Sequence, residues 1–284
     1  MGKTILEVKD FSFTYNQAIN KVLDHVNFRV DRGSFFCIIG ANGSGKSTLC
    51  NSLVGLIPHY FSGEMEGGIR VDGMDVRKSS IGELSQKIGL VFQNPFNQLS
   101  YTAGTVAEEL AYGLGNRGVP GKVMQEKIEH MAQLMRIDDV LSKNPTELSG
   151  GQVQRVALGS VFILDPEILV LDECTTQLDP LGAEEIFEIV KKINGSGVTV
   201  IVVDHDMERV ASYADEVLVL SGGRAVKIGS PRSVFTDPEL EQYGVNPPEY
   251  VKISDMLRKK GYTNRETAIT EDQSIQMVKE ALKG

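Results

Sequence analysis

The chain has 284 residues, with 29 basic and 38 acidic side chains for a formal net charge of −9, which argues against a broad nucleic-acid surface and leaves no nucleic-acid partner expected. Its length allows one large domain or two smaller ones with ample buried core. Apolar runs such as "VTVIVV" at 198–203 are strand-sized, far short of the ~20 residues that span a bilayer, and the N-terminus lacks a signal-peptide pattern.

In chain order, residues 4–39 give three closely spaced β runs, "ILEVKDFSFTY", "VNFRV" and "SFFCII", and such spacing predicts antiparallel pairing. A glycine loop and a helix from Lys46 follow, then the strands "GGIRVDG" and "KIGLVFQ". From Thr105 to Leu148 apolar residues recur at three and four positions, which predicts a helical subdomain, bounded at about 94–163. Beyond it, apolar strands ("ILVLDE", "TVIVVDH", "EVLVL") alternate with helices from about 150, Pro180 and Asp206, the pattern of a parallel sheet covered on both faces. A β ribbon around "GGRAVKIG" ends this part. Residues 246–284 read as two amphipathic helices appended to a domain of 1–245. The fold expected is α/β: a mostly parallel core sheet, an N-terminal antiparallel β subdomain, a helical subdomain and a small C-terminal helical appendage. Cys37, Cys50 and Cys174 lack metal-ligand spacing and are read as reduced thiols of a cytosolic protein.

The sharpest local signal is "GANGSGKST" at 40–48, which matches G-x-x-x-x-G-K-[ST] between an apolar strand and a helix. Its glycines let backbone amides approach phosphate, Lys46 reaches the β- and γ-phosphates, and Ser47 offers a hydroxyl to Mg²⁺. Asp172 and Glu173 end a buried strand, where α/β sheets gather ligands. Asp172 suits a magnesium shell, and Glu173 could polarise a water for attack on the γ-phosphate. His205 ends the next buried strand and could hold that water. His25, His59 and His130 lack such placement and are expected to be structural or surface residues. Gln93 ends "KIGLVFQ", from where its amide could reach Mg²⁺ or the lytic water. A second anion cradle stands at "LSGGQ", 148–152, a serine and two glycines opening a helix. A simple helix cap would explain one glycine there but hardly Gln152.

With the phosphate loop, Gln93, "LSGGQ", "ILVLDE", "LDP" at 178–180 and His205 in this order, residues 1 to about 235 resemble an ATP-binding cassette (ABC) ATPase. The resemblance implies a phosphate-loop NTPase cassette with ATP and Mg²⁺. Tyr15 would stack on adenine, and Gly40, Asn42, Gly43, Ser44, Gly45, Lys46, Ser47 and Thr48 would hold phosphates. Ser47, Gln93 and Asp172 would serve Mg²⁺, with Glu173 as catalytic base and His205 as switch. Ser149, Gly150, Gly151 and Gln152 would close over ATP held by a second, identical or paralogous cassette, and Asp179 would report between the two sites.

Within that family, "VFQNP" at 91–95, "TVAEELAYGLGNRGVP" at 105–120 and the tail "PPEYVKISDMLRKKG" resemble the ATP-binding subunit of energy-coupling factor importers. The resemblance implies transport of a vitamin or transition-metal ion, an integral membrane coupling subunit, a substrate-binding membrane subunit, and a peripheral place on the cytoplasmic face of a prokaryotic membrane. The extension 246–284 would then serve dimerisation or regulation. Phe96-Asn97 stand where that family has acidic residues gripping an arginine of the coupling subunit, with Glu108 or Glu109 as the expected substitute. Cys174 replaces a usual proline, and Asp204 a usual threonine. Another ABC transporter type and a soluble non-transport ABC ATPase are the alternatives.

Overall fold

A computed structural model describes residues 3–16 and 18–282. Leu6, Val8, Phe11 and Phe13 are buried along β1 (Thr4–Tyr15), which pairs antiparallel with β2 (Leu23–Asp31). The third run leaves them. β3 (Phe35–Ile39) is buried at every position and lies between two parallel neighbours in a second sheet. Antiparallel pairing across 4–39 thus holds for two runs and fails for the third, because a strand apolar on both faces needs a sheet covered on both sides.

The phosphate loop leads into α1 (Lys46–Leu53) and the short α2 (Leu56–His59). Next, β4 (Gly63–Val71) returns to β1 and carries β5 (Met74–Asp75), completing an antiparallel sheet in the order β2-β1-β4-β5. The chain then crosses through α3 (Ile81–Leu84) to β6 (Ile88–Val91). Three helices that pack on one another follow: α4 (Val106–Asn116), α5 (Gly121–Met135) and α6 (Gly150–Phe162). The remaining elements are β7 (Ile168–Asp172), α7 (Pro180–Gly195), β8 (Thr199–Val203), α8 (Met207–Tyr213), β9 (Glu216–Ser221), β10 (Arg224–Gly229), α9 (Pro231–Phe235), α10 (Glu249–Lys259) and α11 (Glu271–Ala281).

The second sheet runs β10-β9-β3-β8-β7-β6, parallel except for the edge strand β10. Alternate side chains feed two apolar layers. Phe36, Ile38, Val170 and Ile201 meet Leu49 of α1 and Phe11 and Phe13 of β1. Phe35, Leu169, Leu171 and Val202 meet Phe187 and Val190 of α7 and the helices α4–α6. Each fully buried side chain of this size contributes about 1.5–3 kcal/mol, so the sheet order is held by both layers at once. The parallel strands end on one edge, and β3, β6, β7 and β8 deliver residues 40, 93, 172 and 205 there.

The last two helices lie outside both sheets. The Ser254 hydroxyl accepts from the Ala268 amide at 2.9 Å and so ties α10 to the segment before α11. Arg232 of α9 donates to the Thr267 carbonyl at 2.7 Å, and the Tyr250 hydroxyl donates to Glu208 of α8 at 3.1 Å. Among the described residues no helix is long and apolar enough to cross a membrane.

Candidate functional site

Two glycines of the loop 40–48 are dictated by space. A Cβ at Gly40 would stand 2.1 Å from the Leu220 carbonyl oxygen. At Gly45 the backbone is left-handed, φ +104°, and a Cβ would stand 2.9 Å from the Val22 oxygen. The loop can therefore fold tightly against β9 and turn into α1, whose first amides lack intrahelical acceptors. Lys46 is 4% exposed and donates to the carbonyls of Gly40 at 3.0 Å and Ala41 at 3.1 Å. Asn42, Gly43 and Ser47 are exposed, while Ser44 is buried with no hydrogen-bond partner for its hydroxyl among the described residues. Tyr15 is half-buried beside the loop, its hydroxyl 3.2 Å from that of Thr48 and its ring edge-on to Phe13.

Asp172 is buried at the end of β7, and its Oδ1 has no hydrogen-bond partner among the described residues. Burial pushes its carboxyl above the usual carboxylate range, opposed by a hydrogen bond from Ser47. Glu173 follows with φ at 50°, a left-handed conformation that costs a non-glycine residue about 1 kcal/mol. Its Oε1 lies 2.6 Å from His205 Nε2 and 3.6 Å from Lys46 Nζ, and its Oε2 accepts from Gln93 Nε2 at 2.8 Å. One carboxylate thus gathers residues from three other segments. The other histidines stay outside: His25 pairs with Asp10 at the surface, His59 lies 2.9 Å from the Val76 carbonyl, and His130 is exposed on α5.

The segment "LSGGQ" opens α6 with a helix cap. Ser149 caps α6 by accepting from the Gln152 amide at 3.4 Å, while Gln152 Oε1 accepts from the Ser149 amide at 3.0 Å. This reciprocal capping box accounts for Gln152, which a cap was expected to leave unexplained. The glycines are what it leaves over. A Cβ at Gly150 would meet nothing within 4 Å, and one at Gly151 only Leu178 at 3.9 Å. Among the described residues no hydrogen bond joins 149–152 to the loop 40–48 or to Asp172, Glu173 or His205. Asp179 caps α7, accepting from the Gly182 amide at 2.7 Å.

The loop after Gln93 exposes Phe96 (41%) and Tyr101 (63%). Of the two nearby glutamates expected to grip an arginine, Glu108 is exposed and Glu109 is buried. Glu108 closes the capping box of α4 on the amides of Gly104 and Thr105, and buried Glu109 accepts from the amide and hydroxyl of Ser100. Cys174 is buried, which pushes its thiol up to about 12 and leaves it inert. Arg209, not singled out in the sequence, donates to Asp204, Asp206 and Thr175 beside His205 and Glu173. The only sequence signal for it is the Asp206–Arg209 spacing of one helical turn.

The model of the family described as "ABC transporter" matches residues 23–176, more than half of the chain. The chain belongs to the ABC transporter family. A Pyrococcus abyssi protein named as an ABC transporter ATP-binding protein is 43% identical over 278 residues, 97% of this chain and 99% of the relative. The Energy-coupling factor transporter ATP-binding protein EcfA1 of Bacillus subtilis is 38% identical over 271 residues, 94% of each chain. Among solved structures, cbiO1 from Clostridium perfringens, described as part of the ABC transporter complex cbiONQ, superposes with a TM-score of 0.74 at 30% identity. It covers 91% of this chain and 98% of its own. This ABC protein is accordingly an ATP hydrolase of the transport type, and its fold is the phosphate-loop cassette. The ABC site has oxygen donors suited to a hard divalent cation: the unpartnered Asp172 Oδ1, the Ser47 hydroxyl and the Gln93 amide. Among the described residues no group of three His, Cys, Asp or Glu forms a closed metal cage. A single carboxylate with a hydroxyl and an amide fits Mg²⁺, which keeps waters and takes substrate phosphates as further ligands.

Proposed function

We propose that this ABC ATPase energises an energy-coupling factor importer for a vitamin or transition-metal ion, working with a second cassette on the cytoplasmic face of a prokaryotic membrane. The observation that carries the subtype is the length of the similarity to EcfA1. It takes in 94% of the chain and so reaches past the cassette, which we place at 1–245 with a helical subdomain at about 94–163, into the C-terminal helices. We assign the extension 246–284 a dimerisation or regulatory role.

In this reading the amides of Gly40–Thr48 and the Lys46 ammonium hold the β- and γ-phosphates, and Tyr15 lies against adenine. Mg²⁺, held by Ser47, Gln93 and Asp172, would neutralise charge on the phosphate oxygens. Burial makes charging Asp172 costly, and a bound cation would offset that cost. The Glu173 carboxylate takes the proton of the attacking water, and Gln93 and His205 fix its two oxygens so that one lone pair faces the phosphate. The open faces of Gly150 and Gly151 support a composite site. Among the described residues nothing requires glycine there, so the cleared space and the free amides of α6 suit a phosphate held by the other cassette. Asp179, directly after Leu178, would relay between the two sites.

Affinity purification of the chain from native membranes tests the assembly. Two integral membrane proteins and a second cassette should co-purify; recovery of soluble proteins alone would discard the importer reading. A second measurement addresses the docking surface. Exposed aromatics beside a nucleotide-sensing loop suit a short helix of the coupling subunit. Phe96→Asp is expected to weaken assembly with the membrane subunits at least ~10-fold, because a charge would be buried in an apolar contact. ATP binding by the isolated chain should stay unchanged. Undiminished assembly would move the docking surface elsewhere.

A further inference from the structure

Asp204 precedes the switch histidine and is 8% exposed. Its Oδ1 accepts the amides of His205 at 2.6 Å and Asp206 at 2.9 Å, fixing the backbone on which His205 rides. Its Oδ2 accepts from Arg209 Nη1 at 3.2 Å. The same Nη1 donates to the Thr175 hydroxyl at 3.1 Å, two residues beyond Glu173. Arg209 Nη2 donates to Asp206 Oδ2 at 2.7 Å, and Asp206 Oδ1 caps α8. The guanidinium lies 4.8 Å from the centre of the Phe187 ring, in the layer beneath the sheet. One planar fork therefore holds the residues on both sides of His205 and the segment leaving Glu173. His205 and Glu173 meet at 2.6 Å, so a small slip of either segment would part them.

We propose that Arg209 and Asp204 are positioning residues that set His205 against Glu173, making the angle of the switch depend on one shared guanidinium. Burial and, less, the Asp206 charge push the Asp204 carboxyl up, and the two amides and the Arg209 charge act against them. The pair is nearly enclosed, with side chains 13% and 10% exposed, so removing one partner strands the other. Arginine is required because lysine cannot reach Asp204, Thr175 and Asp206 from one plane. This inference rests on the assignment of Glu173 and His205 above.

The test uses the full chain and separates geometry from stability. Arg209→Met keeps the stem over Phe187 and removes the fork; Arg209→Lys keeps the charge in case the first variant folds poorly. At a temperature where melting curves show each variant folded, Arg209→Met should lower kcat at least ~10-fold, with KM for ATP and nucleotide affinity within about 2-fold. Arg209→Lys should lose less. Adding Asp204→Thr to Arg209→Met should restore much of kcat, because the stranded carboxylate is gone and the hydroxyl can accept a backbone amide. Retention of parental kcat in both Arg209 variants, or a loss explained by melting alone, would overturn the proposal. His205→Ala is measured beside them. If it too keeps full turnover, the switch assignment itself fails; if it loses turnover while the Arg209 variants do not, only the positioning role fails.

Discussion

Glu173→Gln is expected to lower ATP turnover by about 10²-fold or more while nucleotide binding is kept. The amide has the size of the carboxylate and still offers an oxygen to Gln93, but it cannot take a proton from water. Folding should change little, since glutamine meets the same left-handed backbone at φ 50° that glutamate does. The variant does lose the partial ion pair to Lys46 at 3.6 Å, which faces the phosphate site. Losing that competing negative charge should leave ATP bound at least as tightly as in the parent. Phosphate release in the steady state and equilibrium nucleotide binding, measured on the same preparation, decide the matter. Turnover near the parental rate would remove Glu173 from the role of base.

Lys46→Ala and Gly151→Asp chains should each be nearly inactive alone and recover activity when mixed. Lys46→Ala removes the ammonium that reaches over the phosphate loop. Gly151→Asp places a negative charge on the open face at the start of α6, where the composite site expects phosphate. The nearest atom to a new Cβ there is 3.9 Å away, so the chain should fold around it without strain. An acidic residue in a first helical turn is, if anything, favourable to the helix. Loss of activity would then report a missing contact across the pair rather than a damaged cassette. In a random mixture half the pairs are mixed, and each mixed pair holds one intact and one doubly damaged site. For independent sites the recovery should approach about a quarter of the parental rate, the statistics of a symmetric two-fold pair. Absence of recovery, with mixed pairs demonstrated by differently tagged chains, would mean that "LSGGQ" does not act on its neighbour's nucleotide.

The local parts of this protein were legible in residue order alone. A phosphate loop is a property of nine consecutive residues between a strand and a helix, so "GANGSGKST" and its neighbours fixed its geometry without reference to the rest of the chain. The buried strands were equally plain, because uninterrupted apolar runs such as "ILVL" and "VTVIVV" can be satisfied only inside a covered sheet. Tertiary structure decided what periodicity does not encode, namely which strand lies beside which. The order β3-β8-β7-β6 is what brings Lys46, His205 and Gln93 to the Glu173 carboxylate, and the same order took β3 away from its sequence neighbours. It also reassigned side chains whose sequence role was ambiguous. Gln152 proved to be half of a helix cap, Glu109 was already committed to the amide and hydroxyl of Ser100, and Arg209 emerged as the tie between the segments that carry Glu173 and His205. The reason is physical. A side chain's hydrogen bonds are claimed by whichever groups packing places within about 3 Å, and for residues far apart in the chain only the assembled sheet sets that distance.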